Sequence, residues 1–273
     1  ASGISTFQAI TATTVNSITV GKGANSVTGN IAFGELVLDA AVTGNSNTAI
    51  GYESLTDHTT GDNNTAVGRA SLANNTTGGN NTAVGQGALT SNTTAANNNA
   101  FGRAALATNT TGTQNAAFGS LSLNQTTTGN NNAAYGHYAL YSNTTGSSNT
   151  AVGSFALDAN TTASNNTAVG YNALTANTTG TNNSALGTSA ADANTTGAYN
   201  AAVGNNALGA NTTGNYNVAV GNGSLSSATT SSSNTAVGHE ALANATAGDN
   251  TAVGRAAMNS NTTGYSNVAV GVY

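Results

Sequence analysis

Small, apolar and polar residues return along this chain in fixed columns. From Gly34 a glycine stands at every seventeenth position, through Gly51, Gly68 and Gly85 to Gly238, and the series continues with Gly254, one place early, and Gly271. A large apolar residue always precedes it, as at Phe33, Ile50, Val67, Phe101, Tyr135 and Leu186. Leucine stands four places after it, as at Leu72, Leu89 and Leu106, with Ala191 and Met258 as exceptions. The residue two before the glycine is always alanine, and the one four before is always asparagine. The phrase Thr-Ala-Val-Gly alternates with period two, so threonine and valine share one face and alanine takes the other, which predicts a short strand.

Stacking helical repeats need about 33 to 45 residues, and the recurring Asn-Thr-Thr-Gly phrase interrupts any longer helix. The repeat therefore predicts an all-β fold, a parallel β-solenoid in which each repeat is one coil of two short strands and two turns. About 15 coils about 4.8 Å apart would make a rod roughly 70 Å long. The apolar column before the glycine and the leucine column are the expected core. Residues 1–20 lie outside the repeat and read as a joining segment, and residues 21–273 as the solenoid, with a shorter first turn from Gly21 to Gly34.

In such a stack a column of sequence becomes a ladder in space. Asn64, Asn81, Asn98, Asn149 and Asn166 are expected to pass side-chain amide bonds from coil to coil. If valine faces inward, the alanine face looks outward, and its restriction to a methyl group predicts close approach by another copy of the chain. Ala66, Ala83, Ala100, Ala151 and Ala168 are then the expected interface of a homo-oligomer, most simply a trimer.

The phrases NNTAVGRASL (residues 63–72), NTAVGYNAL (166–174) and SITVGKGANSVTGNIAFG (17–34) resemble the head repeats of trimeric autotransporter adhesins, and equally the shaft repeats of bacteriophage tail fibres. The resemblance covers nearly the whole chain beyond residue 20. It implies a trimeric, left-handed parallel β-roll outside the cell or on a virion, with an adhesive or shaft role. The adhesin repeat is usually shorter, so the added Asn-Thr-Thr segment is expected to bulge as a loop.

Composition narrows the function. Only 5% of residues are charged, the net charge is −5, and the four basic residues are Lys22, Arg69, Arg103 and Arg255. A groove tracking nucleic-acid phosphates has almost nothing to be built from. No apolar run approaches the roughly 18 to 20 residues of a membrane span, so membrane insertion by this segment is not expected. The start, ASGISTFQAI, lacks the features of a signal peptide, which points to a signal already removed or another export route. Cysteine is absent, which excludes disulfides and thiolate-bound metal.

Chemistry is sparse. Glu53 and Asp57, with His58 adjacent, are the nearest approach to a hydrolytic pair, but solvated turn residues are the simpler reading. No aspartate column of the calcium-binding kind exists, and His58, His137 and His239 lie several coils apart. No catalytic residue, metal or cofactor is therefore expected, and the chain reads as a non-enzyme. Adjacent threonines in the Asn-Thr-Thr phrase point opposite ways, which argues against an ice-binding array. Nine Asn-Thr-Thr sequons, Asn75 to Asn261, fit either glycosylation or turn chemistry. Tyr138, Tyr141, Tyr171, Tyr199 and Tyr216 stand in variable columns and are the candidate ligand-binding residues, suited to stacking on a cell-surface glycan. Tyr199 and Tyr216 share a column and should stack.

The expected function is a non-enzymatic extracellular structural or adhesive fibre segment. A self-polymerising filament subunit and a glycan-binding recognition fibre are the alternatives.

Overall fold

The computed structural model describes residues 13–15 and 17–272. The rest of the expected joining segment 1–20, and Tyr273, lie outside the described residues. Two compact units divide the chain, Ala1–Gln114 and Asn115–Tyr273. The first holds β1 (Thr13–Val15), β2 (Ile18–Gly21), β3 (Ile31–Gly34), β4 (Thr48–Ile50), β5 (Thr65–Val67), β6 (Thr82–Val84) and β7 (Asn99–Phe101). The second holds β8 (Ala116–Phe118), β9 (Ala133–Tyr135), β10 (Thr150–Val152), β11 (Thr167–Val169), β12 (Ser184–Leu186), β13 (Ala201–Val203), β14 (Val218–Val220), β15 (Thr235–Val237), β16 (Thr251–Val253) and β17 (Val268–Val270).

Within each unit the repeat strands pair in parallel, like residue beside like. Thr48 lies opposite Thr65 and Ala49 opposite Ala66 in the first unit; Thr150 lies opposite Thr167 and Ala151 opposite Ala168 in the second. The shortened repeat keeps this register, with Thr235 opposite Thr251, because its missing residue falls in a turn. Each unit is thus a parallel β-solenoid whose coil is one sequence repeat, as the sequence predicts. At the start, β2 runs antiparallel to β3, pairing Val20 with Phe33, and β1 runs antiparallel to β2. Gly21 therefore opens no coil. The hairpin instead occupies the edge of β3, which would otherwise present unpaired amides and carbonyls.

One strand per coil forms, not two. On the other side of the coil the backbone enters the left-handed region at three non-glycine positions, such as Ala70 (φ 56), Leu72 (φ 50) and Asn80 (φ 58). These reversals bury the sequence neighbours Ser71 and Leu72 together, which strand alternation would not allow. Coils remain joined there by backbone bonds, among them Leu72 N–H to Ala88 O at 3.0 Å and Thr76 N–H to Thr93 O at 2.9 Å.

The core corrects the expected assignment of faces. Ala66, Ala83, Ala100, Ala151 and Ala168 are fully buried inside their own coils, so they form no interface with another chain. The large apolar column faces outward, with Phe33 52% and Leu186 52% exposed. Physically, the space between the walls of one coil takes one leucine and little else. A methyl fits beside it where valine or phenylalanine would overpack. Leucine is buried as expected, for example Leu72, Leu140 and Leu208, and the alanine or serine before it joins the core, as at Ser71 and Ala139.

Glycine at the end of each strand answers two constraints at once. Gly153 has φ 133, and a Cβ there would collide with the carbonyl oxygen of Gly170 in the next coil. Stacking at strand spacing leaves no room for a side chain.

The asparagine column forms the expected ladder. Asn64 N–H donates to Asn47 Oδ1 at 2.9 Å, and Asn81 N–H to Asn64 Oδ1 at 3.0 Å. In the second unit Asn149 donates to Asn132 Oδ1 and Asn166 to Asn149 Oδ1, both at 3.0 Å. The amide nitrogens also close the coils, as Asn64 Nδ2 does by donating to Gly78 O at 2.9 Å. Asn98 does the same to Gly112 O at 2.8 Å.

A second ladder, not anticipated from the sequence, runs through the asparagine of the Asn-Thr-Thr phrase. Asn92 Nδ2 donates to Asn75 Oδ1 at 2.8 Å and to Ala95 O at 3.0 Å. The asparagine of the phrase is therefore core, and the phrase stays within the coil instead of bulging as a loop. Both ladders meet on one carbonyl: Gly146 O accepts from Asn132 Nδ2 at 2.9 Å and from Asn143 Nδ2 at 3.0 Å.

Replacing Asn149 with alanine strands the buried N–H of Asn166 and removes a donor from Ala163 O. The expected loss is on the order of 3 kcal/mol, since each stranded buried group costs roughly 1–3 kcal/mol. Thr150→Ala, on the outward face of the same coil, should stay within about 0.5 kcal/mol of the parent. Urea denaturation followed by circular dichroism checks the pair.

Candidate functional site

His58 stands in the second asparagine column and is completely buried. Its Nε2 lies 2.7 Å from Gly61 O and its Nδ1 3.2 Å from Asn75 Nδ2. Because Asn75 Nδ2 can only donate, Nδ1 accepts, the proton sits on Nε2, and the ring is neutral. The imidazole thus replaces an asparagine amide, one donor and one acceptor for another. Burial holds its pKa below the ordinary histidine value, against smaller raising effects from its hydrogen bonds and Asp62.

This placement separates His58 from Glu53 and Asp57. The two carboxylates line a shallow pocket of about 250 Å³ with Thr56, Ala73 and Asn74, while the imidazole points into the coil. The grouping of these three residues weighed from sequence is not assembled. Among the described residues no cluster of three or more histidine, cysteine or acidic groups is placed to hold a metal. No helix among them is long and apolar enough to cross a membrane.

Eight of the nine sequon asparagines are core residues. Asn75, Asn92, Asn109, Asn143, Asn160, Asn177, Asn194 and Asn211 are fully buried, and their amides are committed to the second ladder. The threonine after each also works between coils, as in Thr144 Oγ1–H to Thr161 O at 3.0 Å and Thr178 Oγ1–H to Thr195 O at 3.0 Å. A glycan has no acceptor on the folded surface at these positions.

Of the five candidate tyrosines, the structure gathers three. Tyr138 and Tyr141 have ring centroids 4.8 Å apart, and Tyr138 stacks on Phe155 at 5.6 Å with 21° between planes. Tyr171 meets Phe155 edge to face at 6.2 Å. His137 packs edge-on against both Tyr138, at 4.4 Å, and Phe155, at 5.7 Å. Phe155 was missed from sequence. Phe155 stands one full repeat after Tyr138, and His137 directly precedes it; that register was the available signal. Tyr199 and Tyr216 lie apart from this group and stack on each other at 5.2 Å and 11°, as their shared column predicts.

The fold defines a parallel β-solenoid repeat protein with an exposed aromatic cluster on its second unit. Neither family models nor curated proteins give a match to the sequence.

Two outcomes are expected. His58 contributes stability only while neutral: that contribution is full above the unfolded value of about 6.5 and declines as pH falls below it, because the unfolded chain takes up the proton more readily. His58→Asn restores the ladder amide, so the variant should match the parent at pH 8 and melt higher at pH 5. Second, soluble folded protein secreted from a glycosylating host should carry no glycan at Asn143 or Asn160, because a modified asparagine cannot close its coil; peptide mass mapping reads this directly.

Proposed function

We propose that this chain is a non-enzymatic structural segment of an extracellular fibre, of the trimeric-adhesin or tail-fibre kind, assembled from identical copies. The observation that carries this reading is the outward apolar ladder. Tyr135, Val152, Leu186, Val203 and Val253 all lie on one face of the strands of the second unit, more than a third exposed. In the first unit Phe33 and Ile50 occupy the same column.

A soluble surface built almost wholly of serine, threonine, asparagine and glycine has no need of such a row. Covering it on association is favourable at about 25 cal/mol per Å². The ladder repeats at the spacing of hydrogen-bonded strands, about 4.8 Å, so the partner that meets every rung equally is one with the same rise, a second copy of this chain. Three copies around an axis is the arrangement that the resemblance implies. The copies meet on the valine face of the strand, and the alanine face stays inside each chain.

Sedimentation velocity tests the assembly. The parent should sediment as a trimer, and Val152→Lys combined with Val203→Lys should sediment as a monomer with an unchanged circular-dichroism spectrum, since both side chains already face outward. A parent that is monomeric at all accessible concentrations would overturn the reading.

A further inference from the structure

The rings gathered on the second unit form a surface of different chemistry from the rest of the molecule. Three phenols, one imidazole and one phenyl ring lie in mutual contact across three successive coils. Tyr171 leaves 53% of its surface exposed. Asp158 follows Tyr141 in the same column of the next coil, and its Oδ1 is buried without a hydrogen-bond partner. Burial raises the pKa of that carboxyl group above the ordinary value, against a smaller lowering effect from His137.

Two of the rings are held in an unfavourable backbone conformation. Tyr138 has φ 58 and Phe155 φ 59, a left-handed geometry that bulky residues disfavour. The same column is left-handed in the other coils too, where it takes small or polar residues such as Gly87, Ala70, Asn172, Ser189 and Glu240. Bulky side chains recur in it at Leu36 and Leu121, but only in these two adjacent coils are they aromatic and stacked. The coil imposes this geometry on the column, and in these two successive coils the column is filled by rings that stack on each other.

We propose that His137, Tyr138, Tyr141, Phe155 and Tyr171, with Asp158 beside them, form a binding site for a neutral saccharide. A pyranose whose hydroxyls are all equatorial presents an apolar C–H face to aromatic rings while its rim needs acceptors and donors. The phenol hydroxyls, the imidazole and the carboxylate supply these around the rings. The cluster is too small for a stable protein interface, which buries about 800 Å² per partner. The negative charge of Asp158 and of the chain as a whole disfavours acidic sugars, nucleic acid and anionic lipid. All the groups belong to one chain, so the site does not depend on the copies associating.

Isothermal titration with cello- and chito-oligosaccharides tests this, with oligogalacturonate as the acidic comparison. The parent should bind a neutral oligosaccharide and not the acidic one. Tyr171→Ala and Asp158→Asn should each weaken binding at least tenfold, while Tyr199→Ala, on the separate tyrosine stack, should leave it unchanged. Tyr138→Asn separates binding from packing: it should weaken binding at least tenfold without lowering the melting temperature, because asparagine accepts the left-handed geometry more easily. Absence of neutral-sugar binding by the parent, preference for oligogalacturonate, or equal loss in Tyr199→Ala would overturn the proposal. The double lysine variant of the outward ladder should still bind, so failure of the assembly and failure of the site are told apart.

Discussion

Buried asparagine governs this molecule. A coil made from a single repeat encloses too little space for a conventional apolar core, and much of what it does enclose is backbone that needs hydrogen-bond partners. The two amide columns meet that need: their oxygens accept from a neighbouring coil, and their nitrogens close the coil on itself at carbonyls such as Gly78 O and Gly146 O. An amide can donate and accept at once, which is the requirement of a ladder carried from coil to coil. Serine or threonine is too short to span from Asn64 to Gly78, and aspartate would bring like charges within strand spacing. His58 can stand in one column because a neutral imidazole also carries one donor and one acceptor.

The register of the repeat, the parallel stacking, the leucine core and the first asparagine ladder were all legible in the sequence, because each follows from spacing alone. The faces of the strand were not. Period two grouped Thr65 with Val67 and Asn64 with Ala66, but hydrophobicity then suggested that valine should be inside. The stronger signal was parity: the invariant asparagine and the invariant alanine lie on the same side, and a ladder that tolerates no substitution belongs where geometry is tightest. In a thin coil, constancy marks the interior better than apolarity does. The second ladder was hidden for a different reason, since Asn-Thr-Thr reads at once as turn chemistry and as a sequon, and neither reading considers an asparagine pointing inward.

Left-handed residues account for the missing second strand and for much of the candidate site. A run such as Ala70 to Leu72 carries no propensity signal for that conformation, so nothing short of the stacked backbone specifies it. Once it is set, the position two after the glycine projects its side chain outward beside its neighbours in adjacent coils, and rings placed there in successive repeats must meet. Tyr138 and Phe155 come together in this way, and Tyr171 joins them from the column before. Their gathering is therefore a consequence of register, whereas their chemistry is a matter of which residues fill the variable columns.

Labour is divided accordingly within every repeat. Inward columns are fixed by nearest-neighbour stacking, so an error in one coil is felt by the coils on either side of it and by few others. Outward columns bear no such constraint, and one of them is nonetheless apolar throughout, from Phe33 and Ile50 to Val253. In the proposed assembly this is the column that meets the same column of another copy. The variable columns after the glycine are free in the full sense, and in them a local cluster of rings can be added without disturbing the register that supports it. The stacked core and the proposed recognition site thus lie on different faces of the same coil, and the residues of the site can change while the amide ladders hold the core in place.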